Sequence, residues 1–306
     1  MHLYMRPSLR IPDWRKTVTH RPLHLLIIDP QNDFCDLPPE YCPPDPLLGE
    51  RAQPALPVPG AHADMLRLAA LIDAGRSGLG AISVTLDSHH HLDIAHPTFW
   101  VDADGMDVGA FTQIHAAEVR SGRYRPRLAG STERVLAYLD ALEAAGRYTH
   151  MVWPVHCEIG TWGHNIHHDL RLALNRWEEQ HLAVVDKITK GSNPWTEHYS
   201  AIMAEVPDPN DAATQLNAGL IAQLQAAGRV FIAGEAGSHC VKATTEHIVD
   251  HFAPADLHKL VLIEDCMSAV SGFQEDYAGF LDTMRKRGLQ TASAAEVLAE
   301  LQASAH

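Results

Sequence analysis

Short, unbroken apolar runs recur along the chain, and most of them are followed by a segment with the period of a helix. Runs of about four to eight apolar residues are typical of parallel strands, which are buried on both faces and therefore have no solvated side. Strands that alternate with helices predict an α/β fold, a doubly wound and mostly parallel sheet flanked by helices. The predicted strands are Leu25–Ile28, Gly80–Leu86, His150–Val155, Leu182–Ile188, the run from Val230, and Leu260–Ile263.

The segments between these runs are either helical or aperiodic. In the first predicted helix, Met65, Leu68 and Ile72 share one face. Residues 35–59 and 92–130 lack such a period, and we interpret them as insertions in a single domain of residues 23–306 that follows an N-terminal arm of residues 1–22. The predicted helices cover Ala61–Ala74, the segment from Ser131 to Ala145, His164–Gln180, Glu197–Ala204, Ala212–Ala227, the segment from Cys240 onward, and Phe273–Arg287.

Five polar residues stand at or just after the ends of predicted strands. They are Asp29, Asp87, His156, Lys190 and Cys240, each from a different run. In an open parallel sheet the carboxyl ends of the strands share one edge, and ligands bind there. We therefore expect these five side chains to lie close together and to form the functional site.

Cys240 is the candidate nucleophile of this site. It follows the sequence VFIAGEAGSH and stands at the first turn of a helix, where free backbone N–H groups and the helix dipole are expected to lower its thiol pKa. The alternative is a small apolar residue that packs at a strand–helix junction. Asp29 could accept the thiol proton and pass it to a leaving amine, with Lys190 balancing the charge, so the three residues suit acyl transfer.

Asp87, His89 and His156 have the pattern of metal ligands. Asp87 and His89 are two residues apart, so they share one side of an extended segment. Three such ligands leave positions open for water or substrate, as catalytic metal sites do. We expect one divalent metal ion, with zinc favoured and iron or manganese as alternatives. The candidates for a further ligand are His90, His91 and His96.

The composition limits which partners the protein can bind and indicates its compartment. The 306 residues carry a formal net charge of −14, which disfavours nucleic acid and anionic membranes, because binders of either need an excess of Lys and Arg. No run of about 18 apolar residues occurs, and the amino terminus has no apolar leader-like segment. The five cysteines lack framework spacing, which suits reduced thiols. We predict a cytoplasmic protein without disulfides.

Several of these segments together resemble motifs of the nicotinamidase branch of the isochorismatase-like cysteine hydrolases. The resemblance covers most of residues 23–290 and implies a three-layer α/β/α fold. It also implies a cis bond before Ala236, although Glu235 stands where the family usually has an apolar residue. The matching segments are IIDPQNDF at 27–34, DSH at 87–89, WPVHC at 153–157, KGSNPWTEHYSA at 190–201 and GEAGSHCVKAT at 234–244.

The resemblance assigns a role to each matched residue. The implied sets are a catalytic triad of Asp29, Lys190 and Cys240, metal ligands Asp87, His89 and His156, pocket walls Phe34 and Trp153, and an oxyanion hole at Ala236 and Cys240. The implied activity is metal-dependent hydrolysis of nicotinamide or a related small amide, with release of ammonia through a thioester intermediate. The alternatives are a cysteine hydrolase of another small carbamoyl or ureido compound, and a non-catalytic member that binds a ligand. We also expect a homo-oligomer.

Overall fold

The computed structural model describes residues 22–45 and 49–305. The predicted arm of residues 1–22 therefore lies outside the described residues, apart from its last position. The strands of the described part are β1 (Leu23–Ile28), β2 (Leu79–Asp87), β3 (Trp100–Asp102), β4 (Thr112–Ile114), β5 (Tyr124–Pro126), β6 (His150–Val152), β7 (Asp186–Lys190), β8 (Arg229–Gly234), β9 (Leu260–Ile263) and β10 (Gln290–Ala292). Its α-helices are α1 (Ala61–Gly75), α2 (Ala116–Arg120), α3 (Thr132–Ala145), α4 (His168–His181), α5 (Ala218–Ala226), α6 (Cys240–Asp250), α7 (Gln274–Arg287) and α8 (Ala294–Ser304).

Six strands form one parallel sheet in the order β10–β9–β8–β1–β2–β7. In the central strand β1, Leu26 lies opposite Ile232 of β8 on one side and opposite Ser83 of β2 on the other. Residues Leu25–Ile28 are fully buried, which explains why this run has no polar alternation. Helices flank the sheet, and α1 packs against α4 and α8. The predicted fold class is confirmed.

One predicted strand lies outside the central sheet. We predicted His150–Val155 as a parallel strand, but only β6 forms there, and it pairs antiparallel with β4 of the 92–130 insertion. Pro154 cannot extend the strand because it has no N–H. Val152 is fully buried in a second apolar cluster, together with Trp100 and with Leu139 of α3. The apolar run indicated burial, but the partner that buries it is in the insertion.

The helix predicted over Glu197–Ala204 does not form. The segment is irregular and mostly buried, so it lacks the solvated face of an amphipathic helix. Side-chain oxygens accept its backbone N–H groups instead. Ala201 N–H donates to Thr244 Oγ1 at 3.1 Å, and Ile202 N–H donates to Ser200 Oγ at 3.0 Å. Ser and Thr compete with helical hydrogen bonding in this way.

Other element bounds shift by a few residues. Strand β7 replaces the predicted Leu182–Ile188, because Leu182 and Val184 are exposed and the chain enters the sheet only at Asp186. Helix α5 begins at Ala218, after a short 3₁₀ turn. No helix of the described ranges is both long enough and apolar enough to cross a membrane.

Candidate active site

The turn between β8 and α6 sets the position of Cys240. Gly234 ends β8 with a φ of 115°, and a Cβ atom built there would lie 2.0 Å from the carbonyl oxygen of Ile28. Glycine is required here because it has no Cβ and tolerates a positive φ. The two backbones can therefore approach closely, which places Cys240 beside the carboxyl end of β1. The Glu235–Ala236 bond is cis, as the resemblance implies.

Lys190 links the three predicted catalytic side chains. Its Nζ lies 2.9 Å from Asp29 Oδ2 and 3.6 Å from Cys240 Sγ. It also lies 3.0 Å from Asp87 Oδ1 and donates to the carbonyl oxygen of His198 at 3.0 Å. All of these residues are buried. The structure thus brings the predicted triad together from the ends of β1, β7 and β8.

The pKa of the Cys240 thiol is shifted in the direction opposite to our prediction. We predicted a lowered pKa for Cys240, but burial raises this pKa well above its usual value, and Lys190 opposes that rise only in part. Burial likewise raises the pKa of Asp29, again against the effect of Lys190. The local dipole argument was therefore wrong about the resting state. Cys240 rests as a neutral thiol, and Asp29 is suited to accept its proton.

Four buried side chains face one another beside the triad. Asp87 Oδ2 lies 3.0 Å from His89 Nε2 and 3.3 Å from His156 Nε2. His96 Nε2 lies 3.3 Å from His156 Nδ1, and each of the three histidines can offer a nitrogen within 4.8 Å of the other two. Burial lowers the pKa of His96 to about 2, so its ring is neutral and can donate a lone pair. One carboxylate and three imidazoles fit a divalent ion such as zinc, iron or manganese.

Two further polar residues orient this cluster. Asp93 Oδ2 lies 3.1 Å from His89 Nδ1, which turns Nε2 of the same ring toward Asp87. Gln31 binds the backbone of Asp87 twice, since its Nε2 donates to the carbonyl oxygen and its Oε1 accepts from the N–H, both at 2.7 Å. The sequence alone assigned no role to either residue. The only signal for Gln31 was its place inside IIDPQNDF.

Cys240 borders a small cavity of about 30 Å³, which we call the inner cavity. Both predicted pocket walls, Phe34 and Trp153, line it, and so does Leu56 from the 35–59 insertion. Glu197, which the sequence did not single out, is buried there, and burial raises its pKa to about 7. Its Oε2 atom has no hydrogen-bond partner in the described part of the chain. The other lining residues are Asp87, His156, Tyr199, Ala236, His239 and Val270.

The structure places two of the three candidates for a further metal ligand, and the tryptophan of the 92–130 insertion, away from the site. His90 and His91 are exposed and do not join the histidine cluster. Trp100 packs in the second apolar cluster, where its Nε1 donates to the carbonyl oxygen of Ile94 at 2.7 Å. His156 does belong to the site, but it comes from the loop after β6 and not from the end of a sheet strand.

No family model and no curated protein matches this sequence. Solved structures do resemble it. A nicotinamidase/pyrazinamidase of Acinetobacter baumanii has a TM-score of 0.57 and 18% identity, over 92% of this chain and 100% of that chain. The chain has the nicotinamidase fold. The yeast nicotinamidase Pnc1p has a TM-score of 0.57 and 20% identity, over 88% and 99% of the two chains.

A third neighbour of the nicotinamidase fold contains a metal. The pyrazinamidase of Pyrococcus horikoshii in complex with zinc has a TM-score of 0.51 and 19% identity, over 89% of this chain and 99% of that one. At these identities the likeness concerns the fold.

Proposed function

We propose that this chain is a metal-dependent cysteine amidohydrolase that releases ammonia from nicotinamide or a related small amide. One observation carries the proposal: Lys190 contacts Asp29, Cys240 and Asp87 at once. A buried nucleophile, a buried acid and a metal-ligand cluster therefore meet at one cavity. The likeness in fold to nicotinamidases and pyrazinamidases supports this reading.

Cys240 supplies the nucleophile for the first half of the reaction. As its Sγ bonds to the amide carbon, the thiol proton passes to the Asp29 carboxylate and the carbonyl oxygen becomes an oxyanion. The backbone N–H groups of Ala236 and Cys240 would donate to that oxyanion. When the C–N bond breaks, Asp29 gives its proton to the leaving nitrogen, which departs as ammonia and leaves a thioester.

Water completes the cycle. Asp29 takes a proton from water as the water oxygen attacks the thioester carbon, and the C–S bond then breaks to give the carboxylic acid product. The Cys240 thiolate recovers its proton from Asp29. Lys190 stays protonated throughout, because Asp29 and Asp87 raise its pKa well above the usual value in spite of burial. It thereby balances the negative charge of the site.

The metal-ligand cluster and the pocket walls would position the substrate. The residues that would hold the ion are Asp87, His89, His96 and His156. When bound, a divalent ion supplies a Lewis-acid position for a ring nitrogen. Phe34 and Trp153 line the same cavity and would pack on the ring, and attack requires the amide carbon about 3 Å from Sγ.

An ammonia-release assay tests the proposal. The panel comprises nicotinamide, benzamide and small ureido compounds, each with and without a chelator. We expect release from nicotinamide, loss of release in Cys240→Ala, and normal release in Cys266→Ala, whose side chain is buried away from the inner cavity. Benzamide should react more slowly because it lacks the ring nitrogen. Release that survives in Cys240→Ala, or that no chelator reduces, would contradict the proposed chemistry.

A further inference from the structure

A second cavity, which we call the outer chamber, adjoins the inner cavity. It has a volume of about 180 Å³ and shares three wall residues with the inner cavity: Trp153, Tyr199 and His239. Trp153 Nε1 donates to the Tyr199 hydroxyl at 3.0 Å. The His239 ring centroid lies 5.2 Å from that of Trp153 and 5.6 Å from that of Tyr199. These three rings form a partition between the two cavities.

The 92–130 insertion builds part of the outer chamber. Its strand β4 pairs with β6, and the register partners Gln113 and Met151 both line the chamber. Phe111, from the same insertion, packs edge-on against Trp153 with the ring centroids 6.1 Å apart. The chamber therefore depends on a segment that lies outside the motifs of the resemblance.

The inner cavity alone is too small for a ring carboxamide. Its volume of about 30 Å³ is room for only two or three water molecules, since one water needs about 10–15 Å³ of such space. A ring carboxamide needs more room than this, and the outer chamber is the adjoining space, since the two cavities share the partition. Displacement of a partition side chain would join the two cavities, and the outer chamber would then receive the part of the substrate that lies beyond the ring.

Lys242 gives the outer chamber an unmatched positive charge. It is half-buried, its Nζ lies 5.6 Å from the Tyr148 ring centroid, and it forms no ion pair with any described carboxylate. Arg147, the other cation of the chamber, lies 3.4 Å from Glu205 and 2.8 Å from Glu246. Because these two carboxylates neutralise Arg147, Lys242 is the cation that is left for a ligand.

We propose that the outer chamber is a second substrate subsite, which binds a carboxylate through Lys242. The preferred substrate is then a small amide that carries an acidic group beyond its ring, and this inference rests on the proposed function. Side chains two residues apart on a helix diverge by roughly 200°, so Lys242 faces the outer chamber while Cys240 faces the inner cavity. Tyr148 and Phe273 supply apolar walls for the connecting atoms.

The single positive charge of Lys242 favours a carboxylate over a phosphate as the ligand. A single ammonium can match one carboxylate, whereas phosphate sites usually combine several donors, with Arg prominent among them. Asp276 also lines the chamber, but it is exposed, so solvent and salt screen its repulsion.

A pair of substrates tests the subsite. The neutral amide is nicotinamide, and the acidic amide is a pyridine dicarboxylic acid monoamide. We expect the wild type to prefer the acidic amide in kcat/KM. In Lys242→Met this preference should fall at least about tenfold, mainly through KM, because a charge-assisted hydrogen bond is lost. Lys242→Arg should keep it, and so should Lys286→Met, which changes an exposed lysine of α7.

A binding measurement separates the subsite from the amidase activity. The probe is pyridine dicarboxylate, followed by quenching of tryptophan fluorescence. If no amide is hydrolysed but the probe binds the wild type at least about tenfold more tightly than Lys242→Met, the subsite stands and the proposed function fails. Equal affinity in the two proteins, or a wild type that prefers the neutral amide, overturns the subsite.

Discussion

Replacement of Glu235 by glutamine should stabilise the protein at neutral pH. Glu235 is fully buried just before the turn to Cys240, and its Oε2 accepts from Ser268 N–H at 3.2 Å. Beside it, Asp64 accepts from Arg67 Nη2 at 2.6 Å and from Ser268 Oγ at 2.5 Å. Burial raises the pKa of Glu235 well above its usual value of 4.5, and the Asp64 carboxylate adds to the rise. Glu235 is therefore a neutral carboxyl in the folded protein.

The size of the effect follows from the unfolded chain, in which Glu235 ionises near pH 4.5. Above that pH the unfolded state has released a proton that the folded state keeps. The free energy of unfolding of the wild type therefore falls by about 1.4 kcal/mol per pH unit, until the pH reaches the folded pKa. At about pH 6.5, two pH units higher, the loss approaches ~3 kcal/mol. Glutamine avoids this loss, because it cannot ionise and its amide can still accept from Ser268 and donate to Asp64.

Urea unfolding at a series of pH values from about 4.5 to 7.5 measures the effect. The difference in free energy between Glu235→Gln and the wild type should be near zero at the lowest pH and should grow with pH. The metal ligands titrate in both proteins, so their contribution cancels. As a control, Glu179→Gln on the exposed face of α4 should stay within about 0.5 kcal/mol of the wild type at every pH. A difference that does not change with pH, or a Glu235→Gln protein that is less stable than the wild type near pH 6.5, would refute the reasoning.

Three further predictions concern the site. Iodoacetamide should alkylate Cys240, which lines the inner cavity, at least about tenfold faster than the fully buried Cys266, and equal rates would argue against Cys240 as the nucleophile. Lys190→Met should lower the free energy of unfolding by about 3–5 kcal/mol, because it removes the buried cation that pairs with the Asp29 and Asp87 carboxylates. Lys187→Met, at an exposed position of the same strand, should cost under about 1 kcal/mol, and similar losses in the two variants would contradict this. His96→Ala should weaken zinc binding at least about tenfold in equilibrium dialysis, and unchanged affinity would remove His96 from the ligand set.

The sequence was most informative at the ends of strands. Asp29, Lys190 and Cys240 could be grouped because the carboxyl ends of parallel strands share an edge, whatever the side-chain detail. The unbroken apolar run of Leu25–Ile28 identifies a strand by a local property, since burial on both faces removes every polar position. Such local patterns determined the fold class and most of the candidate site.

Tertiary structure decided the features of the fold and of the site that depend on neighbours distant in sequence. His96 lies in an aperiodic loop, and nothing local distinguishes it from the exposed His90; only the fold brings it to 3.3 Å from His156. The apolar run at β6 indicated burial but could not indicate that its partner is β4. The thiol pKa of Cys240 also depends on neighbours that are distant in sequence. The helix start is visible in the sequence and predicts a lowered pKa, but burial is a property of the packed molecule, and in this site burial raises the pKa more than Lys190 lowers it.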